Sequence, residues 1–275
     1  LLALLSEQEI AGATRNISEP ARNLLASLLP TLSNDVAGPL ACAAASIGID
    51  IASVAERLLK DGDVADGTAA VQALVISGEP TAQKVLREAF GHERYPVRRA
   101  ALAAVIQLGV PQDRDRILGA AEDRSADVRL AWARLMQEHR WPDAVDALVK
   151  LLSDDRNFSS DPGYLRGPSW SEFRVARAAA RALGAYEQLP EDAITALLDA
   201  AEAETHDPFV ACAAIAALAD KDDGRISDAI NVALESPGMK GAREHRPLAQ
   251  AAAWSVFDRA VANKPMQLSS SAIEM

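Results

Sequence analysis

Apolar residues recur along this chain at helical spacing, in short segments broken by Gly, Pro and Asp. The clearest case is Tyr95–Asp123, YPVRRAALAAVIQLGVPQDRDRILGAAED. Val97, Ala101, Ala104, Val105 and Leu108 fall on one stripe of a helix over 95–108. Gly109, Val110 and Pro111 end it, since Gly suits the position after a helix and Pro cannot continue one. A second helix begins near Asp113 and carries Ile117, Leu118 and Ala121.

The same phrase recurs. The pattern predicts helices over 2–14, 19–29, 36–47, 51–60, 64–76, 80–90, 126–139, 142–152, 171–184, 190–204, 208–219, 224–235 and 244–262. Asn34-Asp35 reads as an N-cap signal before the third of these. The polar, serine-rich tail at 263–275 is expected to fray. The apolar residue near the start of each first helix falls at Val36, Val64, Val97, Val128, Val175, Val210 and Leu248. The steps are 28, 33, 31, 47, 35 and 38 residues. Steps near thirty with two helices each predict an all-α solenoid, because one helix pair cannot bury its apolar face without a neighbour.

These residues resemble HEAT repeats, especially the short form of phycobilisome-lyase-like proteins. Val97-Arg98, Ala101 and Leu108-Gly109 carry the resemblance. So do Asp127-Val128-Arg129, Ala133, Leu148, Leu151-Leu152 and Asp154. Arg174-Val175, Ala178, Ala179 and Leu183-Gly184 repeat it, and Val210, Ala214, Ala217 and Leu218 repeat it without the arginine. It covers roughly 36–257. The resemblance implies a right-handed α-solenoid (α-α superhelix) of about seven HEAT-like helix pairs, forming a single repeat domain over 1–275. It implies nothing definite about activity.

Composition narrows the partners. Hydrophobic residues are 49% and charged residues 24%, a globular balance, and much of the apolar share is alanine. The net charge of −11 opposes binding to nucleic-acid phosphates or anionic lipid. The charge is uneven: 91–152 holds ten basic and nine acidic residues between more acidic ends. Cys42 and Cys212 sit far apart in alanine-rich helices and read as small buried apolar residues, so a reducing, cytoplasmic setting fits. No run is long and apolar enough to span a membrane. The chain opens on Leu1 rather than Met, which points to a start upstream.

Candidate chemistry is sparse. Arg98 and Arg129, each after a leading valine, read first as partners of acids in the neighbouring repeat. Alternatively, Arg98-Arg99, Arg114, Arg116 and Arg134 form a local positive groove for an acidic partner. His92-Glu93 resembles the metal-binding pairs of HEAT-like deoxyhypusine hydroxylases, but a di-iron centre needs several such pairs, and this is the one His-Glu pair in the chain. HEAT-like DNA glycosylases and bilin lyases are further relatives by resemblance. The acidity of the chain opposes the first, and no distinctive cysteine motif supports the second. Phosphate loops and hydrolase or zincin motifs are absent from the sequence.

The most irregular stretch is the insertion at 153–173, SDDRNFSSDPGYLRGPSWSEF. It concentrates Phe158, Tyr164, Trp170 and Phe173 among Pro-Gly turns, and long loops on rigid scaffolds often carry recognition. The alternative is that its aromatics fold back on the repeats. The sequence thus predicts a non-enzymatic scaffold, adaptor or inhibitor without cofactor or metal. It would bind a partner protein through a concave face lined by second helices and through this loop. Phe158, Tyr164, Arg166 and Trp170 of the loop, with Arg116 and Lys150 of second helices, are the expected contact residues. A lyase-like enzyme or chromophore handler using the groove as a pocket is the alternative. Nucleic-acid binding through 91–152 stands behind both.

Overall fold

The computed structural model describes residues 17–109, 113–154, 173–202, 208–235, 251–256 and 259. All regular structure among the described residues is helical, with no strand. None of these helices is long and apolar enough to cross a membrane. The expected helix over 2–14, nearly all of the insertion and the tail at 263–275 lie outside the described residues.

Packing divides the chain into two compact units, Leu1–Ile117 and Leu118–Met275. In the first, α1 (Glu19–Leu28) runs into a 3-10 turn, Leu29–Thr31. There follow α2 (Asn34–Ser46), α3 (Ala52–Asp61), α4 (Val64–Ser77), α5 (Pro80–Ala89) and α6 (Tyr95–Leu108). The first helices pack in sequence, α2 on α4 and α4 on α6, while α3 packs on α5 in a second layer. The division falls inside the short α7 (Arg114–Gly119). The second unit holds α8 (Ala126–His139), a 3-10 turn (Pro142–Ala144) leading into α9 (Val145–Leu151), α10 (Arg174–Gly184), α11 (Glu191–Ala201), α12 (Pro208–Leu218) and α13 (Arg225–Glu235). It repeats the scheme: α8, α10 and α12 pack in one layer, and α9, α11 and α13 in the other.

Local chemistry explains most boundaries. Gly109 ends α6 at φ +64, a left-handed conformation in which any Cβ is strained, as the sequence predicts. Asp63 and Asp66 exchange side-chain-to-backbone hydrogen bonds of 2.9 and 3.0 Å, a reciprocal cap at the start of α4. The cap of α2 differs from expectation. Ser33 occupies the N-cap position without a side-chain bond, and Asn34 and Asp35 lie in the first turn.

The core is built from small residues, which set the distance between first helices. Ala37, Ala41, Ala44, Ala70 and Ala73 are fully buried in the first unit, and Ala176, Ala179, Ala180, Ala211 and Ala214 in the second. A Cβ on Gly67 would lie 2.8 Å from Val97 Cγ2, so α4 and α6 approach where the glycine sits. A Cβ on Gly184 would lie 2.9 Å from the Ala217 backbone. This packing corrects the sequence markers. Val97, Val128, Val175 and Val210 are buried, but Val36 and Val64 are 41% and 42% exposed. In α2 and α4 the inward positions belong to Ala37, Gly38 and Gly67, which an apolar-stripe reading passes over because glycine carries no hydrophobic side chain.

Candidate functional site

A helix leaves its last four carbonyls without intrahelical partners, and its C-terminus favours cations. In this chain basic side chains donate to carbonyls at helix caps and in the turns just beyond them. In the first unit Arg57 donates to Leu32 O at 2.6 Å, Arg94 donates to Gly62 O, and Arg98 donates to His92 O and Glu93 O at 2.7 and 2.8 Å. In the second, Arg129 Nη1 donates to Asp123 O at 2.6 Å, and its Nε meets Asp154 Oδ2 at 2.6 Å in an ion pair sealed from solvent. Lys221 donates to Gly184 O and Tyr186 O. Arg259 donates to Lys221 O at 2.8 Å. The Tyr186 hydroxyl donates to Trp141 O at 2.8 Å, and burial, with the Asp143 carboxylate nearby, pushes its pKa up to about 12. Cations thus serve carbonyls at helix caps and interhelical turns, Arg98, Arg129, Lys221 and Arg259 from buried positions, and Arg98 and Arg129 belong to that set rather than to a ligand comb.

The same accounting absorbs other sequence candidates. His92 Nδ1 accepts from the Arg94 amide at 3.0 Å, which leaves Nε2–H to donate to Leu59 O at 2.9 Å; both ring nitrogens serve the turn. Among the described residues no group of three or more His, Cys, Asp or Glu is placed to hold a metal ion. Cys42 is half-buried, its thiol 3.7 Å from Ala69 O, and burial raises its pKa. Cys212 is likewise a thiol and not half of a disulfide.

Of the expected contact residues, Phe158, Tyr164, Arg166 and Trp170 lie outside the described residues. Arg116 is exposed on α7 in the first unit, where it donates to Arg87 O at 3.1 Å beside an Arg87–Asp113 pair of 2.9 Å. Lys150 is exposed on α9 in the second.

One cluster of basic side chains in the second unit lies on two first helices. Between α8 and α10 lies a groove of about 140 Å³, lined by Leu130, Arg134, Gln137, Arg174, Arg177, Ala178 and Arg181. Helical periodicity builds it. Leu130, Arg134 and Gln137 stand at i, i+4 and i+7 on α8, and Arg174, Arg177, Ala178 and Arg181 at i, i+3, i+4 and i+7 on α10. Two of the arginines are held in place. Arg174 meets Asp127 at 3.0 Å, and the Arg177 guanidinium lies 5.5 Å over the ring of Phe209, which is itself 51% exposed. Arg134 and Arg181 are exposed and make no ion pair with any described residue. The sequence offered the signal as the three- and four-residue arginine spacing in RVARAAARALG, but the α8 contribution depends on how the helices pair.

In comparison with known proteins, no family model matches the chain and no curated protein matches it.

Proposed function

We propose that this chain is a non-catalytic, HEAT-like interaction module that docks a partner protein on the α8–α10 groove. The observation that carries this reading is the division of labour among the cations. The buried ones serve carboxylates and the carbonyls of helix caps and turns, whereas Arg134 and Arg181 face solvent in a groove. The layered packing of first helices on first helices and second on second supports the α-solenoid reading within each unit. The proposed docking face lies on first helices, whereas the sequence placed it on second helices with the insertion; Lys150 and the insertion remain candidates for further contacts. A rigid, preformed surface limits the ordering cost of binding.

Photo-crosslinking tests the proposal. A benzophenone amino acid is placed at position 134 or 181 of the full-length protein in its native cells, with position 60 as control. Lys60 is an exposed residue of α3 in the first unit. Discrete protein adducts from 134 and 181 but not from 60 are expected. Absence of adducts from both groove positions would overturn the reading.

A further inference from the structure

We infer that the groove between α8 and α10 recognises an acidic segment of its partner, one carrying two or more carboxylates over about two helical turns beside an apolar side chain. The inference rests on the docking reading above and specifies what docks.

The first argument is charge contrast. Residues 118–275 hold seventeen basic and twenty-five acidic side chains, yet the groove lining supplies four arginines and no acid. Asp127, at its edge, is already engaged by Arg174. The second is the kind of cation. Arginine presents a planar fork of donors that matches a carboxylate, and it holds its charge at any physiological pH. The third is preorganisation. The Asp127 contact and the Phe209 ring hold Arg174 and Arg177, so fewer side chains lose freedom on binding.

The fourth argument is extent. From Arg174 to Arg181 the helix rises about 10 Å, and from Leu130 to Gln137 about as much. One helical turn beyond Arg134 stands the exposed Glu138, and three residues beyond α10 the exposed Glu187. A nucleic-acid strand, whose phosphates continue without a break, would run from the arginines onto those acids. A short run of carboxylates would not. The fifth is the apolar content. Leu130 and Ala178 line the groove, and the partly exposed ring of Phe209 lies against Arg177. Together they favour an acidic segment that also carries a leucine-like side chain over a purely polar one.

Fluorescence anisotropy with the full chain decides. The probe is a labelled peptide with glutamates spaced three and four residues apart around one leucine. A matching glutamine peptide and a labelled single-stranded DNA of similar length serve as comparators, all in low salt. The glutamate peptide is expected to bind at least about tenfold more tightly than either. Combined Arg134→Glu and Arg181→Glu should weaken it about tenfold or more, and Lys60→Glu should change it less than about twofold. Should the reversal disturb folding, Arg134→Gln with Arg181→Gln removes the charges more gently and should still weaken binding. Tighter binding of DNA, or glutamate-peptide binding that ignores both groove variants, overturns the inference. If the glutamate peptide fails while crosslinking at 134 and 181 still captures a protein, the acidic segment is wrong and the docking face stands. If both fail, both readings fall.

Discussion

Replacing Arg129 by methionine removes the cation from the most enclosed ion pair among the described residues. The side chains of Arg129 and Asp154 are 0% and 1% exposed, and the guanidinium also closes the Asp123 carbonyl. Breaking a buried pair from one side strands the other charge, which costs about 3–5 kcal/mol. Asp154→Leu should cost a similar amount, because Arg129 would stay buried without its carboxylate. Removing both charges is different: the stranded ion is gone, and the main remaining loss is the Asp123 carbonyl, roughly 1–3 kcal/mol. The two single losses should therefore exceed the double by at least about 2 kcal/mol. Urea unfolding followed by tryptophan fluorescence suits the test, since Trp132, Trp141, Trp170 and Trp254 all fall in the second unit. With an m-value near about 2 kcal/mol/M, each single variant should lower the midpoint by about 1.5–2.5 M. A single-variant loss below about 1 kcal/mol, or strictly additive losses, would refute the claim that this pair closes a helix end in a dry interior.

Two further outcomes follow from the packing and the chemistry of the second unit. Gly184→Ala should destabilise by about 1–3 kcal/mol despite alanine's better helix propensity, because the new Cβ meets the Ala217 backbone, which cannot rotate away; an unchanged urea midpoint would contradict the close approach of α10 and α12. The raised pKa of Tyr186 means that the unfolded chain loses this proton near pH 10 and the folded chain near about 12. Its contribution is complete below pH 10 and disappears as pH rises through about 12, so stability of the wild type should fall across that window more steeply than that of Tyr186→Phe.

Much of the local structure was legible in the sequence. Helix bounds followed local signals closely, as at Tyr95–Leu108, where Pro96 opens the helix and Gly109 ends it. The all-helical class followed from the 3.6-residue periodicity. The phase of the first repeats was harder. Val36 and Val64 are apolar and lie near the start of their helices, but close packing of α2, α4 and α6 demanded the smallest residues inward, so Gly67 faces Val97 and the valine turns out. Arg129 was readable as the partner of an acid and pairs with Asp154, but the sequence did not show that Arg98 would donate to the His92 and Glu93 carbonyls. The groove was half legible. Arg174, Arg177 and Arg181 share one helical face by spacing alone, whereas Arg134 joins them only because α8 packs on α10 across an intervening helix and insertion. Arg116 and Lys150 entered through their places on second helices, and local spacing could not show that Arg134 would join the α10 arginines in one groove.

The central claim is that the arginines of the second unit divide into those that hold the fold and those that face a partner. One paired measurement tests it: urea midpoint and glutamate-peptide affinity, read on Arg129→Met and on Arg134→Gln with Arg181→Gln. The account predicts that the groove variant loses about tenfold or more in affinity while its stability stays within about 0.5 kcal/mol of wild type, as for surface changes generally. It predicts the reverse emphasis for Arg129→Met, a lowered midpoint with near-normal affinity in the folded fraction. A groove variant that unfolds as readily as Arg129→Met, or that binds the peptide as well as wild type, would contradict it.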